Sequence, residues 1–132
     1  MIVGYTAGVF DLLHEGHLNI LKESKKLCDK LVVGVLSDQG ASKYKRLPID
    51  PESRRLARIQ ALGYVDFAII QQESDPTREL EVIRPHIFTH GSDWDRLKFG
   101  HGTLDRLGIK YITIPYTEGI STTKIIWHLD SR

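Results

Sequence analysis

The run Leu31-Val32-Val33-Gly34-Val35-Leu36 constrains this chain more than any other segment. It carries no polar side chain at either set of alternate positions, and such a strand is covered on both faces. A sheet covered on both faces needs helices above and below it. The remaining sequence supplies strands and helices in alternation. Strands are expected at Ile2 to Thr6, Val65 to Ile70, Ile87 to His90 and Lys110 to Pro115. Helix-period stretches fall between them, from about Gly16 to Cys28, from Pro51 onward with Asp50 as N-cap, and over Thr77 to Ile83. A closing helix is expected over Ser121 to Leu129, whereas Gly100 and Gly102 argue against one uninterrupted helix over Arg96 to Gly108. The pattern predicts an α/β fold with a parallel five-stranded sheet and helices on both faces. With 132 residues, the chain has room for one core, so 1–132 is expected to form a single domain.

In such sheets ligands bind beyond the carboxyl ends of the strands, which directs attention to the loops. Charge gives little guidance: 18 Lys+Arg against 17 Asp+Glu leave a formal charge of +1. Without a basic excess or a stacking array of aromatics, no nucleic-acid partner is expected. There is no apolar run long enough for a membrane span, and Met1-Ile2-Val3-Gly4-Tyr5 carries no basic residue and enters a strand-like pattern at once, so no signal peptide is expected. A lone cysteine, Cys28, offers neither a disulfide nor a multi-cysteine metal site. A cytoplasmic setting is expected from these features.

Two segments carry chemistry. The first is Gly8-Val9-Phe10-Asp11-Leu12-Leu13-His14-Glu15-Gly16-His17, where a strand ends and a helix opens. Gly8 lets a phosphate approach the backbone, and His14 and His17 flank Gly16 beside unpaired helix N–H groups that favour negative charge. Taken alone, the two histidines are also compatible with a helix-start surface pair or metal ligands. The second segment is Tyr116-Thr117-Glu118-Gly119-Ile120-Ser121-Thr122-Thr123-Lys124. Ser121 suffices as a helix cap; three consecutive hydroxyls exceed that need and suit a polyphosphate at the helix start.

The first segment resembles the signature Gly-x-Phe-Asp-x-x-His-x-Gly-His of the cytidylyltransferase-like nucleotidyltransferases. The second is similar to Arg-Thr-Glu-Gly-Ile-Ser-Thr-Thr of glycerol-3-phosphate cytidylyltransferase and its choline and ethanolamine relatives. The resemblance implies a Rossmann-like sheet and a homodimer. It also implies transfer of a nucleotidyl group from a nucleoside triphosphate to a small phosphorylated or phosphonate alcohol, with release of pyrophosphate. His14 and His17 would stabilise the transferring phosphoryl group. Gly8, Val9, Phe10, Asp11 and Gly16 would line the nucleotide site, with Asp93 of Gly91-Ser92-Asp93-Trp94 beside it. Tyr116, Thr117, Gly119, Ile120, Ser121, Thr122 and Thr123 would complete that site, the hydroxyls holding the β- and γ-phosphates. Mg²⁺ would enter on those phosphates rather than through protein ligands.

Lys43-Tyr44-Lys45-Arg46 follows the second strand and reads as a phosphate clamp, Lys43 and Lys45 matching the catalytic lysines of the family. The opening Pro51-Glu52-Ser53-Arg54-Arg55 resembles the family's Pro-x-x-x-Arg, and Lys43, Arg55 and Arg78 are the expected acceptor contacts. Two positions depart from the pattern. Tyr116 and Gly63 replace arginines, and a tyrosine cannot supply a bidentate, permanently charged contact. Heptose-phosphate adenylyltransferases carry an aromatic at the place of Tyr116, which opens ATP as the nucleotide. The rest of the second signature follows the cytidylyl type, so CTP is the expected nucleotide and glycerol 3-phosphate one candidate acceptor. The contrasting alternative is a regulatory domain that binds nucleotide with weak turnover, which Tyr116 and Gly63 keep open and the intact His14, His17, Lys43, Lys45 and Ser121 argue against.

Overall fold

The computed structural model describes residues 1–43, 46–91 and 101–115. Five strands, β1 (Val3–Gly8), β2 (Lys30–Leu36), β3 (Phe67–Gln71), β4 (Ile87–Gly91) and β5 (Lys110–Ile114), form one sheet in the order β3-β2-β1-β4-β5. Every neighbouring pair is parallel, with Gly4 opposite both Leu31 and Ile87. Between them lie α1 (Glu15–Lys26), α2 (Asp38–Ser42), α3 (Glu52–Gln60), α4 (Thr77–Ile83) and α5 (His101–Leu107). This is the expected Rossmann-like α/β architecture.

Alternation along β2 divides the core. Leu31, Val33 and Val35 pack with Leu21 of α1 and Ile59 of α3 on one face. Val32 and Leu36 pack with Tyr5, Phe88, Leu80 of α4 and Leu104 of α5 on the other. Two-sided burial of an all-apolar strand is therefore realised by helix pairs on opposite faces. Gly34 interrupts that run for a steric reason. The Tyr5 hydroxyl fills the space a Cβ would need and donates to Gln71 Oε1 at 2.5 Å. Gly34→Ala should cost about 1–3 kcal/mol through overpacking. Urea unfolding would show it as a lower midpoint with an unchanged slope; a midpoint equal to wild type would contradict the packing account.

The differences from expectation lie at element ends. β1 runs past Thr6 to Gly8, and β3 starts at Phe67. Val65 and Asp66 lie just before it, with Asp66 N donating to Leu31 O and the Asp66 carboxylate accepting from Leu31 N and Lys25 Nζ. Asp50 does not cap α3: Pro51 occupies the N-cap without a side-chain cap bond, and Asp50 pairs with Arg54 and Arg58. The short helix α2 follows Ser37, whose Oγ accepts from Gly40 N at 3.0 Å. Its five residues are too few to show helical periodicity. α5 begins at His101 and contains Gly102. The closing helix expected over Ser121 to Leu129 lies outside the described residues.

Candidate active site

Chain order fixes where a ligand can sit. β1 hydrogen-bonds to β2 on one side and to β4 on the other, so strand order reverses at β1. In open α/β sheets ligands bind beyond the strand ends at such a point. The chain leaves β1 at Gly8 and enters α1 at Glu15 through a turn that holds Phe10 and Leu12 at φ 53° and 49°. Both are left-handed conformations that side chains disfavour, at about 1–3 kcal/mol each. The strain is offset by what the turn places. The Phe10 ring is buried under Gly8 and meets the His17 ring edge-on at 5.6 Å. Asp11, 2% exposed, is turned inward.

The two histidines cap α1 through their side chains. His14 Nδ1 accepts from Gly16 N at 3.0 Å, and His17 Nδ1 accepts from His14 N at 3.3 Å. Their rings stack with centroids 3.8 Å apart. A ring nitrogen that accepts from a backbone N–H carries no proton, so each neutral imidazole bears its proton on Nε2. The capping box therefore fixes the tautomer of both rings and makes each an Nε2–H donor at the positive end of the helix.

Burial holds the His14 pKa below its ordinary value. Protonation would also turn the capping nitrogen into a donor facing another donor. Because the folded-state value is depressed, the unfolded chain takes up this proton first as pH falls. Stability from His14 is complete above about pH 6.5 and declines below it. His14→Asn keeps an N-cap acceptor without titrating. Thermal unfolding from pH 8 to pH 5 should show a shallower acid loss for the variant; equal slopes would remove His14 from the pH dependence.

Two arginines expected or available near the phosphates are held otherwise. Arg55 is fully buried. Its guanidinium donates to Val9 O at 2.8 Å, Leu36 O at 2.7 Å, Asp50 O at 2.9 Å and Asp38 Oδ1 at 2.7 Å. It thus staples the ends of β1 and β2 to the loop before α3, and all four of these contacts are made within the protein. The reason is the register of α3, which turns Arg55 inward and leaves Arg54 and Arg58 exposed. Arg46 approaches Asp11 Oδ2 at 3.4 Å. The Asp11 carboxylate also accepts from Ile49 N and Asp50 N, so the expected nucleotide contact is engaged with the returning limb of the basic loop.

Lys43 is exposed at the C-cap of α2, just past the end of β2. Arg78 is exposed on α4, on the face of the sheet opposite α1, and the structure does not bring it to the histidine turn. Lys45, Asp93, Tyr116, Thr117, Gly119, Ile120, Ser121, Thr122 and Thr123 lie outside the described residues. The sequence reading missed Asp38 and Asp50 as partners of the arginines. Asp38 meets Arg55, 17 positions away across a loop, a spacing that carries no periodic signal, whereas Asp50 pairs with Arg54 and Arg58 of α3.

A parallel sheet in this order, with a histidine-capped helix opening at its switch point, defines a Rossmann-like fold of the nucleotidyltransferase type. The chain belongs to the cytidylyltransferase-like family, whose model matches residues 5–127. It is 35% identical over 127 residues to the bifunctional protein HldE of Bradyrhizobium sp. (strain ORS 278), covering 94% of this chain and 26% of that protein. With HldE of Campylobacter jejuni (strain RM1221) it shares 34% identity over 125 residues, 92% of this chain and 26% of the relative. The chain thus spans about a quarter of the length of these curated relatives. A crystal structure of the lipopolysaccharide core biosynthesis protein from Thermoplasma volcanium GSS1 superposes with TM-score 0.76 at 39% identity, covering 89% of this chain and 97% of that one. Pantothenate synthetase from Thermus thermophilus shares the fold at TM-score 0.64 and 18% identity, covering 96% of this chain and 64% of its own. Among the described residues no helix is long and apolar enough to cross a membrane.

Proposed function

We propose that the domain transfers a nucleoside monophosphate from a nucleoside triphosphate to the phosphate of a small sugar or alcohol phosphate, releasing pyrophosphate. The observation that carries this reading is the pair of stacked imidazoles whose capping bonds set both as Nε2–H donors at a helix N-terminus. An acceptor phosphate oxygen attacks the α-phosphorus in line. The new P–O bond forms as the bond to the bridging oxygen breaks, and pyrophosphate leaves with that oxygen. His14 and His17 donate to the α-phosphoryl oxygens as charge gathers there, and no covalent enzyme intermediate is needed. In this reading Lys43 and Lys45 contact the triphosphate and acceptor, and Ser121, Thr122 and Thr123 hold the β- and γ-phosphates.

Among the described residues no group of three or more His, Cys, Asp or Glu is placed to hold a metal ion. Mg²⁺ is read as carried by the triphosphate, where it would neutralise phosphate charge.

The nucleotide is read as ATP. Tyr116 has the aromatic character of the heptose-phosphate adenylyltransferases at the position where cytidylyltransferases have arginine. Similarity to a protein named for lipopolysaccharide core biosynthesis points the acceptor toward sugar phosphates. CTP is the second reading and rests on the run Thr117 to Thr123. Pyrophosphate release with ATP and CTP, each against sugar phosphates, glycerol 3-phosphate and a phosphonate, tests the reaction. ATP with a sugar phosphate is the expected productive pair, and no release with any pair would refute it.

Tyr116→Arg separates the nucleotides further. On the ATP reading the variant binds ATP more weakly and gains nothing for CTP. On the CTP reading it gains one charged hydrogen bond, worth about 1.5–3 kcal/mol in CTP affinity. Calorimetric titration of wild type and variant with both nucleotides distinguishes them.

A further inference from the structure

We propose that Asp11 is a positioning residue that docks the basic loop onto the histidine turn, rather than a contact to the nucleotide. This rests on the reading of the site given under Proposed function. Asp11 is 2% exposed and lies between Phe10 and Leu12, both at left-handed φ. That turn aims its carboxylate into the protein. Asp11 Oδ2 accepts from Ile49 N at 2.8 Å, and Oδ1 accepts from Asp50 N at 3.0 Å. Arg46 adds its charge at 3.4 Å from Oδ2. Two backbone donors and a guanidinium, all from one segment, make Asp11 the receptor for that segment.

The segment needs such a receptor. Leu47 and Ile49 are 66% and 52% exposed and only Pro48 between them is buried, so apolar burial alone holds the segment weakly. Lys43 marks the other end of the basic stretch at the C-cap of α2. Lys43 is thus carried by a helix end, and Arg46 is met by the Asp11 carboxylate. Arg55 tightens the same junction by donating to both Asp50 O and Val9 O, one on each side of it. A buried carboxylate already facing three donors is also a poor neighbour for a triphosphate, which carries charge of the same sign. Asp11 acts on the reaction by setting where Lys43 is presented to the phosphates.

Amide hydrogen exchange without nucleotide, and steady-state kinetics, test this in Asp11→Asn, Lys43→Ala and the double variant. Asn keeps one acceptor but sets an NH₂ against one of the backbone donors or the arginine. Exchange at Ile49 and Asp50 should quicken by about tenfold or more while the β1 and β2 amides keep wild-type protection. Because both substitutions act on one loop, the double variant should lose little more kcat/KM than the worse single one. Unchanged exchange at Ile49 and Asp50, or losses that multiply, would overturn the proposal. If wild type transfers no nucleotide at all, the reading of the reaction fails while exchange still decides the docking. Should Asp11→Asn not fold, Arg46→Met, altered at a half-exposed side chain, takes its place. Faster exchange at Ile49 in that variant supports the docking, and wild-type exchange rejects it.

Discussion

His17→Ala should lower kcat by about 100- to 1000-fold while triphosphate affinity changes far less. Removing one preorganised donor to a charge that develops in the transition state typically costs about 2.7–4 kcal/mol. His17 is suited to that role because His14 N holds its Nδ1 and the Phe10 edge holds its ring. Ground-state binding spreads over many phosphate contacts, so losing one donor moves Kd little. Single-turnover transfer and calorimetric titration, measured together, check the split. Near-wild-type kcat in a folded variant would remove His17 from the chemistry. The variant also frees the His14 amide from its acceptor, so folding should be compared by near-UV circular dichroism before the rates are interpreted.

Arg55→Leu should destabilise the fold by about 3–5 kcal/mol, the usual cost of removing one partner from a buried charged network. Leucine leaves Val9 O, Leu36 O and Asp50 O without their guanidinium donor, and Asp38 without its cation. Lysine at this position restores charge but not the planar fork that reaches three carbonyls and a carboxylate, so Arg55→Lys should recover only part of the loss. Urea midpoints of the three proteins test this. A direct substrate contact makes the opposite forecast: a raised KM for the acceptor with stability unchanged. Should that pattern appear, the staple is not what Arg55 is for.

These two residues also show how much the sequence disclosed. The histidine turn was legible because its elements are local: a glycine at a strand end, two histidines three apart and a helix pattern directly after them. The capping box uses contacts only two and three residues apart, so the motif carries its own geometry. Helix Thr77–Ile83 was legible to the residue for the same reason. The sheet followed from apolar runs whose composition records burial on both faces. By contrast, α2 was too short to print a period, and Ser37 reads as a cap only once Gly40 N is seen to face it.

The roles of Asp11 and Arg55 belong to the tertiary structure. Motif position marked each as a ligand contact, yet Asp11 meets partners 35 to 39 residues away and Arg55 meets Val9 46 residues away. Whether a charged side chain faces ligand or protein depends on which loop donors arrive beside it, and sequence spacing does not encode that arrival. A buried charge must be met by such partners, and these arrive only once β1, β2 and α3 are brought together. The sequence by itself determined the alternating elements, the two-sided sheet and the imidazole pair at a helix start, because each is written in neighbouring residues. Only the tertiary structure decided which charged groups hold the site together, because their partners come from distant loops.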